Sequence, residues 1–480
     1  MAVVSIGRRL TDLAAADPDR PAVTCDERTV TRSELERRAN RLARAYAELG
    51  VGPGELVTIA LPNSIEFYEA AWAIWKLGAT PQPVSWRLPD RERQAIVELA
   101  DSRLVLGATA PGRISLPAGW EPPASLSDEP LRDVVSPCLK APTSGGSTGR
   151  PKLILSGDAG VFDTEARPGR LMERERTQVV AGPLYHNAPF LYSTSGLLLG
   201  NHLVVERRFD AGNTLRLIER WACDWIFLVP TMMSRIWRLP DRLAYDVSSL
   251  RVVLHLAAPC PPWLKQHWID WLGPDRIWEL YAGTEAQAST LISGREWLDH
   301  RGSVGRVVSG AMRVRDRSGA DLGPGQVGEI WMRPPEGRDG PTYRYRGAEA
   351  RRSVDGWESL GDLGWMDADG YLYLSDRRDD LILAGGANIY PAEVEAALEE
   401  HPAVSGSVVI GLPDDDLGQR VHAVVCLEPG ATAPTEDELR RFLGERLVRY
   451  KVPRSFEFVS ELLRDDAGKV RRGALRDERS

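Results

Sequence analysis

The chain has 480 residues, more than one hydrophobic core usually organises, so two or more domains are expected. Its 43% hydrophobic and 27% charged content is that of a soluble globular protein and excludes a disordered one. With 60 basic against 68 acidic residues and a net charge of −8, gripping nucleic acid is disfavoured as its main task, and any phosphate site must be local.

In chain order, 31–34 reads as a capping box opening an amphipathic helix to residue 49, and 54–61 as a short strand. Ser64 caps a second helix to about residue 77, and 78–84, with two prolines, reads as a loop and short strand. A helix at 91–99 and a strand at 104–106 follow. Apolar runs at 203–205, 225–229 and 252–256 continue an alternation that predicts layered α/β architecture. Between residues 302 and 377 short strands separated by Gly, Pro and Asp turns predict a β-rich subdomain. Beyond it, a helix at 391–400, strands at 405–410 and 421–427 and a helix capped at 435–438 predict a compact α+β module. The expected domains are 1–377 and a smaller one at 378–480. The five cysteines are odd in number and scattered, which fits a reducing compartment and no structural zinc. No signal-like segment opens the chain and no run reaches the ~18 apolar residues of a membrane span, so a cytoplasmic protein is expected.

Lysine occurs only at Lys76, Lys140, Lys152, Lys265, Lys451 and Lys469, so each one merits attention. One of them closes the segment Thr143, Ser144, Gly145, Gly146, Ser147, Thr148, Gly149, Arg150, Pro151, Lys152, which concentrates hydroxyls, glycines and cations as a polyphosphate cradle requires. A plain polar turn is the other reading. A Walker A loop fails because Pro151 precedes the lysine and Leu153 follows it. The G-x-S-x-G elbow of an α/β-hydrolase, with Ser147 as nucleophile, needs a helix directly after it, where Pro151 stands.

This loop resembles the phosphate-binding signature of the adenylate-forming superfamily of acyl-CoA synthetases, luciferases and peptide-synthetase adenylation domains. Further matches occur in order: Tyr281-Ala282-Gly283-Thr284-Glu285; Gly361-Asp362; Asp376-Arg377; Gly385-Gly386 through Glu393; Tyr450-Lys451-Val452-Pro453; and Gly468-Lys469-Val470-Arg471. Lesser matches are Pro183-Leu184-Tyr185-His186, Ala257-Ala258-Pro259 and Gly302-Ser303-Val304-Gly305. The resemblance runs from about residue 10 to 472 and points to the acyl-CoA ligase branch.

It implies ATP and Mg2+ as reactants, a small-molecule carboxylic acid as substrate and coenzyme A as the thiol acceptor. Glu285 would bind Mg2+ and Thr284 face the phosphates; Asp362, supported by Arg377, would hold the ribose; and Tyr281 and residues 257–259 would contact the nucleotide. Lys469 would neutralise charge between carboxylate and α-phosphate. Asp379 would be the hinge about which the small domain swings, after which Gly385, Gly386 and Lys451 would meet coenzyme A. His186, Asn187, Ala282 and Gly283 would line the acyl pocket.

Two departures stand out. Ala282 replaces the usual glycine and Gly283 takes the variable position, which would leave room for a bulky alicyclic, steroid-like, terpenoid or aromatic acid. Leu463-Arg464-Asp465-Asp466-Ala467 precedes Gly468 where relatives carry proline and threonines, which puts two carboxylates beside Lys469. A carrier-protein thiol is the alternative acceptor.

Overall fold

The structure is a computed structural model that describes residues 3–145, 151–165, 171–460, 463–464 and 468–479. Its elements follow the expected α/β alternation. The helix Arg32–Glu48 starts on the reciprocal Thr31/Glu34 capping box and buries Leu35, Ala39, Leu42, Ala43 and Tyr46, one face at helical spacing. It packs on the helix Ile65–Lys76, capped by Ser64, whose residues are buried nearly all round, Trp72 and Trp75 included.

The main sheet has fifteen strands. Its parallel centre is built from β1 (Pro21–Cys25), β2 (Thr177–Val180), helix α1 (Asn187–Leu198), β3 (His202–Val205), β4 (Trp225–Leu228), β5 (Val252–His255) and β6 (Ile277–Ala282). In space these strands run β1, β3, β2, β4, β5, β6, all parallel to their neighbours. The chain leaves β2 to one side for β3 and returns to its other side for β4, so the order reverses at β2. Crevices outside the carboxyl ends of parallel strands at such a reversal are where ligands bind.

Antiparallel strands continue this sheet from β6 through Ser289–Ser293, Ser303–Ser309, Leu372–Arg377 and Asp362–Met366 to the edge, so the β-rich part expected at 302–377 is an extension of the main sheet. A second, four-stranded parallel sheet carries Thr80–Pro83 at its edge. The two prolines of that strand sit where one side needs no ladder donor, so the short strand expected within 78–84 pairs with Leu56–Ile59.

The C-terminal part has its own five-stranded sheet, in which Val404–Asp414 and Gly418–Leu427 form a long hairpin. The helix α2 (Pro391–Leu398) packs on it over a separate core around Ile389, Val394, Val409, Val425 and Leu439. Among the described residues, no helix is long and apolar enough to cross a membrane.

Candidate active site

The sheet topology brings the sequence motifs together. The carboxyl end of β2 leads into Gly182–Asn187, that of β4 into Val229–Thr231, that of β5 into Ala257–Pro259 and that of β6 into Gly283–Glu285. Four segments far apart in sequence thus open on one edge of one parallel sheet.

Thr143–Gly145 pairs antiparallel with Pro151–Ser156, in the register Thr143 with Leu153 and Gly145 with Pro151. A strand, Pro151–Ser156, therefore follows the glycine-rich segment. This removes the hydrolase elbow, which requires a helix there. Gly146, Ser147, Thr148 and Gly149 lie outside the described residues, as do Asp465 and Asp466. Gln82 donates to the Thr143 hydroxyl at 2.9 Å and fixes the base of the hairpin.

Glu285 is 5% exposed. The Tyr345 hydroxyl donates to its Oε1 at 2.5 Å, and the Lys152 ammonium lies 3.6 Å from the same oxygen and 3.0 Å from the Tyr345 hydroxyl. Lys152 also lies over the Tyr345 ring, 4.1 Å from its centroid. Sequence reasoning missed Tyr345. It arrives because Tyr343–Arg346 pairs with Pro151–Ser156, placing Tyr345 opposite Ile154. Its ring is set edge-on to Tyr343, whose hydroxyl donates to buried Glu358 at 2.8 Å. The alternating Tyr343 and Tyr345 were the only local signal.

A second cluster lies at the other end of the same motif. Asp362 and Arg377 are directly opposed across an antiparallel pair, so both side chains leave the same face. Arg377 Nε donates to Asp362 Oδ1 at 3.2 Å, and the Tyr281 hydroxyl donates to Oδ2 at 2.7 Å. Burial and the Asp362 carboxylate push the Tyr281 phenol well above its ordinary range, so it stays a donor. Trp365 and Tyr373, also directly opposed, stack at 4.0 Å and stiffen this hairpin.

Ala257, Ala258 and Pro259 form the turn after β5, with Ala257 in the left-handed region at φ +82. Thr284 and Ala282 are half-buried in the segment leading to Glu285. Gly283 has a different reason from the one expected. A Cβ there would lie 2.3 Å from Leu360 Cδ1 and 2.9 Å from Glu285 Oε2. The space left by the missing side chain is thus filled by the protein itself, and the glycine allows Leu360 and Glu285 to approach.

The C-terminal part reaches the end of β4. A Cβ on Gly468 would stand 3.4 Å from Thr231 Oγ1 and 3.7 Å from Val229 Cγ2, so the chain presents Lys469 at the end of β4. Arg464 and Arg472, on either side of that lysine, both donate to Glu395, at 2.8 and 2.5 Å. Burial works against the ionised Glu395, but the two arginines and the Val409 N–H hold its carboxyl below the ordinary range. Two anchors on one buried carboxylate fix the segment that carries Lys469.

The remaining predicted residues lie apart from the crevice contacts. Asp379 sits in a single exposed turn at Arg378–Asp380, its carboxylate 3.6 Å from Arg378. Gly385 and Gly386 form the two-residue turn of the hairpin Ile382–Ala384/Ala387–Ile389, with φ of +56 and +81, so the turn alone demands glycines. Lys451 is held by both oxygens of Glu393, at 2.6 and 2.7 Å. His186 and Asn187 stand at the start of α1, and further along that helix Pro189 and Tyr192 help wall a small cavity with Ala181, Gly182, Trp225 and Phe227.

Comparison with known proteins gives one answer. The profile of the AMP-binding enzyme family matches residues 10–337, and that of the AMP-binding enzyme C-terminal domain matches 393–469. A feruloyl-CoA synthase of an Amycolatopsis species is 34% identical over 96% of both chains. A fatty acid–[acyl-carrier-protein] ligase of Streptomyces coeruleorubidus is 30% identical over 97% of this chain and 94% of its own. Among solved structures, the o-succinylbenzoate CoA synthetase of Bacillus subtilis with its acyl-adenylate intermediate superposes with a TM-score of 0.82, at 26% identity over 99% of each chain.

Proposed function

The chain belongs to the AMP-binding enzyme family and is an AMP-forming acid–thiol ligase that activates a carboxylic acid with ATP and Mg2+ and passes the acyl group to coenzyme A; we propose which residues carry each step and which acids it takes.

The donor set fits a magnesium nucleotide. Among the described residues no three His, Cys, Asp or Glu side chains gather into a metal-ligating group, and Glu285 is the carboxylate at the site. One carboxylate with phosphate oxygens and water is how Mg2+ is commonly held. When bound, it supplies charge neutralisation on the phosphates. Lys152 takes the same phosphates, and Tyr345 orients Glu285 and Lys152 toward each other. The glycine-rich segment 143–152 takes the polyphosphate.

Asp362 accepts from the ribose hydroxyls. Tyr281 and Arg377 hold that carboxylate ionised and aimed, while the turn at 257–259 meets the adenine. Attack of the substrate carboxylate on the α-phosphate needs alignment and charge neutralisation and no protein nucleophile. Lys469 supplies the cation at the reacting centre. The domain at 378–480 then turns about Asp379, withdrawing Lys469 and bringing Gly385, Gly386 and Lys451 to coenzyme A. For Lys451 this requires release from Glu393.

The acid is bulky, aromatic or alicyclic, and enters past His186 and Asn187. Support comes from the aromatic walls Tyr192, Trp225 and Phe227 of the cavity further along α1, and from relatives named for feruloyl and 2-succinylbenzoate substrates. The observation that carries the whole reading is the gathering of Glu285–Tyr345–Lys152 and Asp362–Tyr281–Arg377 around the carboxyl end of β6, with Gly468 at that of β4. Acid-dependent AMP release over a panel of bulky and linear acids, with and without coenzyme A, tests it. A relative that charges an acyl-carrier protein makes a carrier thiol the second acceptor to include. AMP release that no acid stimulates would refute the reading.

A further inference from the structure

Three lysines of this lysine-poor chain are buried away from solvent, and two of them are neutralised. Lys76 lies 2.8 Å from Glu36 and Lys265 lies 2.6 Å from Glu279. The third, Lys140, is 7% exposed, yet among the described residues no carboxylate lies within ion-pairing distance. Its ammonium donates to a neutral oxygen, Asn187 Oδ1, at 2.5 Å. Burying a cation without a counter-charge is costly, and at Lys76 and Lys265 a carboxylate offsets it.

What surrounds Lys140 favours a visiting anion. Asn187 is the first residue of the twelve-residue helix α1, and no side chain caps that helix. The positive end of the helix and the ammonium therefore meet at one place. Burial pushes Lys140 down to about 8, with Cys138, Asp158 and Glu285 acting in the opposite sense. Glu285 itself is engaged by Lys152 and Tyr345 on the phosphate side.

We propose that Lys140, held on Asn187 at the head of α1, anchors a second anionic group, a carboxylate or sulfonate, on the acid substrate, making this a ligase for dianionic acids. The proposal rests on the placement of Asn187 on the acyl side. It narrows the acid class to bulky acids whose tail carries charge, and it gives the buried ammonium the counter-charge that no described residue supplies.

The test compares wild type and Lys140→Met on two matched pairs, 4-carboxycinnamate with 4-methylcinnamate and glutarate with pentanoate, reading kcat/KM for AMP release. Wild type should prefer the dianionic member of at least one pair by about tenfold or more, and K140M should lose that preference. The KM for ATP should move less than about twofold, and melting should not fall, since an apolar side chain replaces an unpaired buried cation. Asn187→Asp supplies an internal counter-charge, so it should raise the melting temperature and also abolish the preference.

A preference absent from wild type, or retained in K140M and N187D, overturns the proposal. So does a rise in the KM for ATP with acid preference intact, which would assign Lys140 to the phosphates. Should wild type adenylate no acid at all, the ligase reading fails; should it adenylate both members of each pair equally, only this inference does.

Discussion

Glu285 depends on a tyrosine that no motif contains. The Tyr345 hydroxyl gives it one charge-assisted hydrogen bond and ties it to Lys152, a contact worth roughly 1.5–3 kcal/mol when buried. Tyr345→Phe should therefore lower acid-dependent ATP–pyrophosphate exchange by about tenfold or more, mostly through a higher KM for ATP; exchange within about twofold of wild type would show that Glu285 needs no such support. Gly283 is the opposite case, a motif position whose reason was misread. Because Leu360 fills the space beside it, Gly283→Met should depress turnover of short and bulky acids alike, and Leu360→Ala in the same chain should restore much of the loss. A loss confined to bulky acids would return Gly283 to the acyl pocket. Asp362, Glu285 and Lys469 could be nominated from the sequence because chemistry restricts their type and a family pattern their order. The contacts of Tyr345 and Lys140 could not, since they come from strand pairing and burial across long stretches of chain.

The elements that aim these residues are short and were mostly readable. Helices announced themselves by caps, as at Thr31, Ser64 and Thr435, and the ends of apolar runs marked the carboxyl ends of β3 to β5. Strand order left no local trace, and it is the reversal at β2 that makes a crevice of those ends. One junction between elements has a pH signature. Asp376, at the end of the strand Leu372–Arg377, accepts from the Ala392 N–H at the start of α2 at 2.9 Å, and burial pushes its carboxyl up to about 6. Its folded value lies above the ordinary carboxylate range, so the stability it contributes at low pH is lost as pH rises through about 6. Asp376→Asn removes that loss. By chemical denaturation it should gain on wild type more at about pH 7.5 than at about pH 4.5; a gain independent of pH would mean that Asp376 does not titrate in this range.

Across the whole molecule, named side chains join residues 378–480 to the larger part. Arg238 of the large lobe pairs with Glu428 and donates to the Glu399 carbonyl, and Arg471 reaches Glu92 at 3.0 Å. These contacts, with Gly468 against Val229 and Thr231, define the arrangement we propose for adenylation. Asp379→Pro restricts the backbone of the exposed turn between lobes and should slow thioester formation far more than pyrophosphate exchange; equal losses would misplace the hinge. The central claim is that this arrangement delivers Lys469 for the first half-reaction alone. Its most direct test is Lys469→Ala, assayed by acid-dependent ATP–pyrophosphate exchange and, separately, by thioester formation from supplied acyl-adenylate and coenzyme A. The account predicts exchange reduced by about a hundredfold or more with thioester formation largely retained. Undiminished exchange, or loss of both activities to the same degree, would contradict it.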